Sequence, residues 1–332
     1  MKKKLLAMLL SAAMCLSLAA CGQKADTNPE TPDNTDPSGD AVTYTVGICQ
    51  LVQHAALDAA TQGFIDALNE ALPGQVKIEE KNASGEANNC ATIVNGFVSE
   101  GVDLIMANAT AALQAAASAT SDIPILGTSI TAYGVALDID NFTGTVGGNV
   151  SGTSDLADLS KQADMITEWF PETKTVGLLF CSAEPNSRYQ IEEVAKCLEA
   201  KGIETKEFAF TDTNDVSSVT QAACDYADVI YVPTDNTAAA NTEAIANVTV
   251  PAQTPVIVGE EGICKGCGVA TLSISYYDLG VTTGKMAAKI LTGEADISTM
   301  PIEFTTATPK YNAAMCETLG ITPLEGYEAI AD

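Results

Sequence analysis

"TVGICQ" at 45–50 and "TVGLLF" at 175–180 open two stretches that repeat one pattern in one order. Each is a short apolar run followed by a longer helical pattern. After the first come "VDLIMAN" (102–108) and "IPILGTS" (123–129); after the second come "DVIYVPT" (228–234) and "TPVIVGE" (254–260). Apolar strands alternating with helices mark a parallel sheet covered on both faces. Recurrence of the whole order predicts two similar open α/β lobes with parallel sheets, rather than one very wide doubly wound sheet.

Ligands of such sheets bind beyond the carboxyl ends of the strands, at helix N-termini. If the two lobes face each other, their strand-end loops converge on one cleft. Polar residues stand at the matching places: Gln50 and His54; Asn108 and Thr110; Thr128, Ser129 and Thr131; Asn186 and Ser187; Thr234, Asp235, Asn236 and Thr237; Glu260 and Glu261. The stretch "GGNVSGTSDLADL" (147–159) adds Thr153, Ser154 and Asp155 where a helix is expected to begin. Two readings of it stay open. One is capping, in which a side-chain oxygen accepts an orphan N–H of the first turn. The other is that the free N–H groups and hydroxyls hold an anionic part of a ligand.

A chain of 332 residues buries one large core or two ordinary ones, and its 46% apolar content is that of a globular protein. The segment "MKKKLLAMLLSAAMCLSLAAC" carries three lysines and then an apolar run from Leu5 to Ala20, an export signal rather than a spanning helix. Residues 22–42 are rich in Asp, Pro, Thr and Asn, which predicts a flexible tether. A net charge of −27 argues against nucleic acid or anionic lipid headgroups as partners. "CKGC" (264–267) is the only close cysteine pair; free thiols and a disulfide both remain open, and zinc would need two more ligands. His54 is the only histidine, and no G-x-S-x-G turn, phosphate loop or strict G-x-G-x-x-G accompanies it. We expect no catalysis, no metal and no cofactor; an exported α/β hydrolase is the rival that lacks an activated nucleophile.

Leu18, Ala19 and Ala20 before Cys21, with Gly22 after it, resemble the lipobox of bacterial lipoproteins, which implies cleavage ahead of Cys21 and lipidation of its thiol. The stretches "VGICQLVQHAALDAATQGFIDAL", "GGNVSGTSDLADLSKQADMI", "KTVGLLFCSAEPNS", "VPTDNT", "PVIVGEEG" and "SISYYDLGVTTGKMAAKIL" resemble the substrate-binding proteins of bacterial ABC importers. More narrowly, they are similar to the family of tryptophan/tyrosine-type binding proteins. The resemblance implies a type I periplasmic-binding-protein fold, with two Rossmann-like lobes joined by a multi-strand hinge and closing over a small molecule, often an aromatic amino acid. It implies an outer-face, membrane-anchored receptor that is monomeric and delivers its ligand to a permease driven by an ATPase subunit. A lipoprotein reporting its ligand to a membrane sensor, and a receptor for a branched amino acid or nucleoside, are the alternatives. The expected organisation is a leader at 1–20, a tether at 21–42, lobe one at 43–150 with a return at about 275–303, and lobe two at 151–274 with about 304–330.

Carried over by motif, Gln50 and His54 lie on the first loop of lobe one. Thr153, Ser154 and Asp155 lie at the interlobe crossing, Asn186 and Ser187 on the first loop of lobe two, and Asp235 and Asn236 on its third. Many relatives have Thr-Asp-Pro after the fourth strand, where this chain has Thr131-Ala132-Tyr133. An amino-acid ligand needs donors for its carboxylate and an acid for its ammonium. Thr153 and Ser154, with Asn186 and Ser187, are the expected carboxylate contacts; Asp235 or Glu260 is the expected ammonium contact. Tyr133, Tyr276 and Tyr277 are placed for an aromatic or apolar ligand. Trp169 and Phe170 are expected to seal a helix against the sheet, and Arg188, the only arginine, to face solvent.

Overall fold

The structure, a computed structural model, describes residues 43–331. The expected leader, tether and lipidated Cys21 lie outside the described residues.

The first repeat runs β1 (Tyr44–Gln50), α1 (Ala55–Ala71), β2 (Val76–Asn82), α2 (Ala87–Glu100), β3 (Leu104–Asn108), α3 (Thr110–Ala119), β4 (Ile125–Ile130), the single turn α4 (Tyr133–Ala136) and β5 (Val150–Ser154). Alternation along β1 sends its side chains to two cores. Val46 and Ile48 pack with Phe64, Leu68 and Met286 on one face, and Cys49 packs with Cys90, Val94 and Phe97 on the other.

The second repeat runs α5 (Leu159–Trp169), β6 (Thr175–Cys181), α6 (Pro185–Ala200), β7 (Glu204–Phe210), α7 (Val216–Cys224), β8 (Val229–Val232), α8 (Asn236–Ala239), α9 (Thr242–Ala252), β9 (Val256–Val258), α10 (Glu261–Cys267) and β10 (Ala270–Ser273). The chain then forms α11 (Tyr276–Leu291), β11 (Glu303–Phe304), β12 (Thr308–Tyr311), α12 (Ala313–Leu319) and β13 (Glu328–Ala329). One sheet has the order β2-β1-β3-β4-β5-β11 and the other β7-β6-β8-β9-β10-β12-β13. Pairing is parallel throughout, except that β12 runs antiparallel to β10. Within each repeat the strands follow the doubly wound order in which the first strand lies between the second and third. The sequence duplication is therefore a duplication of topology.

The chain passes between the sheets after β5, between β10 and α11, and between β11 and β12. The stretch 147–159 departs from its sequence reading. Val150–Ser154 is a strand, pairing with β4 on one side and β11 on the other. The helix begins only at Leu159, and its cap is Asp158, whose carboxylate accepts N–H groups from Ser160 and Lys161 at 3.0 and 3.2 Å. Thr153, Ser154 and Asp155 cap nothing, because a slot at the sheet edge claims the strand before helix geometry can start. β5, placed after the crossing by the expected boundary at 150/151, pairs within the first sheet. Gly152 has φ +143°, and a Cβ there would collide with the Gly127 carbonyl oxygen, so the strand needs a glycine at that point.

On its return the chain lays α11 against α1. Cβ atoms at Gly280 and Gly63 would fall inside contact distance of the Ala60 and Tyr277 carbonyl oxygens, so the two backbones touch through glycine. Elsewhere, Trp169 is buried and meets Tyr327 edge-on at 5.1 Å. Arg188 pairs with Glu207 at 2.6 Å and lies over the Phe180 ring. Cys264 and Cys267 are free thiols buried within α10. Because the helix contact has no room for a methyl group, Gly280→Ala is expected to lower stability by about 1–3 kcal/mol. Urea denaturation of the variant against the parent reads this directly.

Candidate functional site

The loops at the carboxyl ends of both sheets meet around a small, partly enclosed hollow. His54 and Leu57 come from the start of α1, Ser129 and Thr131 from the end of β4, and Asp155 from the crossing after β5. The second lobe supplies Asn186, Thr234, Asp235, Asn236, Ala239 and Glu260, and Tyr276 enters from the first turn of α11. His54 is the N-cap residue of α1, and its Nε2 lies 3.3 Å from the Asn236 Oδ1 of the opposite lobe. That contact bridges the two rims.

Of the residues singled out in the sequence, His54, Thr131, Asp155, Asn186, Asp235, Asn236 and Glu260 line the hollow. Gln50, Asn108, Tyr133, Thr153, Ser154 and Ser187 do not, because their polar atoms hold the scaffold together. Gln50 donates to Asp58 at 2.7 Å and accepts from Thr61 at 2.6 Å. Asn108 donates to the Leu57 carbonyl and to Thr61. The Thr153 hydroxyl lies between those of Thr128 and Thr283 at 3.2 and 2.9 Å. The Ser154 hydroxyl donates to the Thr131 carbonyl and accepts the Leu156 N–H. The Tyr133 hydroxyl shares its proton between the Gly127 and Thr153 carbonyls at 3.0 and 3.1 Å, and its ring is buried beneath β4. Thr153 and Ser154 thus brace β5 internally, and Tyr133 braces the β4–β5 bulge. Ser187 is buried, and its hydroxyl serves the Asp235 carboxylate.

Four acids crowd the rims, and each is held differently. Asp235 accepts the Cys181 and Ala238 N–H groups at 2.7 and 2.8 Å, one on each oxygen. Glu260 caps its own helix through the N–H groups of Gly262 and Ile263. Every oxygen of these two carboxylates thus already accepts a backbone N–H. Glu184, which the sequence reading passed over, reaches from the start of α6 to the N–H groups of Asn236 and Thr237 at 3.0 and 2.9 Å. Its signal was its place before Pro185, a position that precedes a helix. Asp155 is the exception. Its Oδ2 accepts the Tyr276 hydroxyl at 2.9 Å, while its buried Oδ1 has no hydrogen-bond partner.

Ser129 is the other open group. Its buried hydroxyl also lacks a partner, and its backbone is left-handed at φ +57°, the kind of local strain that collects at ligand sites. No lysine or arginine lines the hollow. Tyr276 lines it, whereas Tyr277 is exposed and bonds to Asp66.

A cleft between two doubly wound lobes, lined by strand-end loops of both and crossed by hinge segments, defines a two-lobed solute receptor. The chain belongs to the ABC transporter substrate binding protein family, whose model matches residues 45–331. It is 30% identical over 300 residues to the tyrosine-binding protein of Clostridioides difficile, a match covering 88% of this chain and 85% of that one. The fold matches an ABC domain in complex with L-Trp from Streptococcus pneumonia, at 32% identity, a TM-score of 0.82, and coverage of 87% of this chain and 100% of that one. A ligand-free, open substrate-binding protein with adhesive properties from Clostridium difficile matches at the same 32% identity over 87% of this chain and 99% of that one, with a TM-score of 0.66. The protein is an extracytoplasmic solute-binding protein of an ABC transporter, and its family is not an enzyme family.

Burial pushes Asp235, with Glu184 beside it, and Glu260 up to about 7. Both therefore hold protons in the folded chain that the unfolded chain releases near its ordinary carboxylate values. Their stabilisation is full below about pH 4 and is lost as pH rises through about 7. Burial lowers His54 and acts in the opposite sense, weakening the fold as pH falls below 6.5. With two acids against one imidazole, the ligand-free protein should be more stable to urea at pH 6 than at pH 8. Glu260→Gln should flatten that difference.

Proposed function

We propose that this chain captures an aromatic amino acid between its lobes and presents it, in the closed state, to a membrane permease driven by an ATPase subunit. The observation that carries the ligand class is the buried Asp155 with its unpartnered Oδ1. A buried carboxylate oxygen without a partner is costly, and an ammonium group removes that cost. The Ser129 hydroxyl, which has no partner of its own, supplies a donor for the carboxylate end, in a cavity without Lys or Arg. Leu57, Ala239 and the Tyr276 ring offer the apolar surface for a side chain. The relatives described as tyrosine-binding and as bound to L-Trp support the aromatic class.

In this reading each lobe moves as a body about the three crossing segments, and the ligand favours closure because it touches both rims only when they meet. The protein works as a monomer. A lipid on Cys21 anchors it to the outer face of the membrane through the segment 22–42. It releases the solute unchanged.

Isothermal titration of L-tryptophan, L-tyrosine and L-phenylalanine tests the reading; binding of none of them overturns it. Asp155→Asn keeps the shape but removes the charge. Losing one partner of a buried charged pair costs about 2–5 kcal/mol, so affinity should fall about 30-fold or more while the fold persists. Burial also raises the Asp155 pKa, and pairing with an ammonium requires the ionised carboxylate. Affinity should therefore weaken as pH falls through the acidic range, and Asp155→Asn should abolish that dependence.

A further inference from the structure

A second hollow adjoins the first, between the start of α1 and the start of α10. Two residues line both hollows, Glu260 and Tyr276. They form the wall between them, and the two halves of that wall differ in character. Both Glu260 oxygens accept backbone N–H groups of α10, from Gly262 and Ile263, so its side chain belongs to the helix. The Tyr276 ring, by contrast, is held at its far end by the hydroxyl bond to Asp155. Behind it, Ala55, Ala56 and Ala59 of α1 and Ile274 present methyl and methylene groups, with charge confined to Glu261, Lys265 and Lys310. Lys310 is occupied by Glu261 at 2.5 Å.

We propose that Tyr276 determines the size of ligand this receptor accepts, and that the hollow behind it is an annex suited to enlarged aromatic side chains once the ring is removed. The inference rests on the amino-acid reading above. Tyr276 has two separable parts. Its ring is the wall, and its hydroxyl steadies the carboxylate proposed to receive the ammonium. Removing the whole side chain therefore changes which ligands fit, whereas removing only the oxygen changes how tightly all of them are held.

The test pairs L-tyrosine with O-benzyl-L-tyrosine, and L-tryptophan with 5-benzyloxy-L-tryptophan, by calorimetry on the purified protein. The wild-type protein should prefer the smaller member of each pair by at least about 100-fold. Tyr276→Ala should shrink that preference at least tenfold, through a gain for the enlarged ligand as well as a loss for the small one. Tyr276→Phe should weaken both members alike and keep the preference, an outcome that a generally loosened fold would not give. Tyr276→Leu, with thermal unfolding measured alongside, answers the same question if the alanine variant does not fold. Unchanged preference in both the Ala and Leu variants overturns the assignment of Tyr276, as does a wild-type protein that binds large and small members equally. A wild-type protein that binds neither parent amino acid overturns the function itself, and this inference with it.

Discussion

The hydrogen bond from Tyr276 to Asp155 joins two of the three places where the chain passes between lobes. Asp155 follows β5 immediately and Tyr276 opens α11, so the 2.9 Å contact ties the first crossing to the second at the wall of the cleft. Asp155 is also pinned through its backbone, whose N–H donates to the Ile130 carbonyl at 3.2 Å. A carboxylate in such surroundings is poorly solvated, and only one of its oxygens has a partner inside the protein. In the proposed function the remaining oxygen is the one that receives the ligand's ammonium group.

The rest of the cleft is held by hydrogen-bond networks within each lobe. In lobe one, Gln50, Asp58, Thr61 and Asn108 form a connected set beneath the start of α1. In lobe two, Glu184 joins the start of α6 to the start of α8, while the Gln190 side chain accepts the Thr234 N–H and donates to its carbonyl. Polar networks rigidify the loops they join where their members are satisfied, as they are here except at the buried Asn108 Oδ1. Rigid rims leave the freedom of the molecule in the crossing segments, where closure can be driven by a solute that bridges both sides. The His54–Asn236 contact joins the two rims.

The glycine-mediated seat of α11 on α1 gives that closure a firm base. The helix that delivers Tyr276 to the cleft is locked to lobe one by backbone approach rather than by interdigitated side chains. A ring carried on such a helix is a fixed wall of the cleft on the side of lobe one.

The sequence by itself determined the architecture. "TVGICQ" and "TVGLLF" begin two copies of one strand order, and the apolar runs and helix patterns between them admit few other arrangements. It also marked the polar residues of the strand-end loops, of which His54, Asn186, Asp235, Asn236 and Glu260 all line the cleft. What it could not decide was which polar atoms remain open. Asp235, Glu260, Thr153, Ser154 and Asp155 read alike as small polar residues at loop starts. Only the tertiary structure separates them, through backbone N–H groups distant in sequence, such as that of Cys181 on Asp235, and hydroxyls such as that of Thr283 on Thr153. The helix foreseen at 153–155 failed for a related reason: pairing with β4 and β11, one of them contributed from nearly 150 residues further on, outweighs local capping signals. Local pattern thus selects elements and their order, whereas the state of each hydrogen-bonding atom depends on neighbours that only the folded chain brings near.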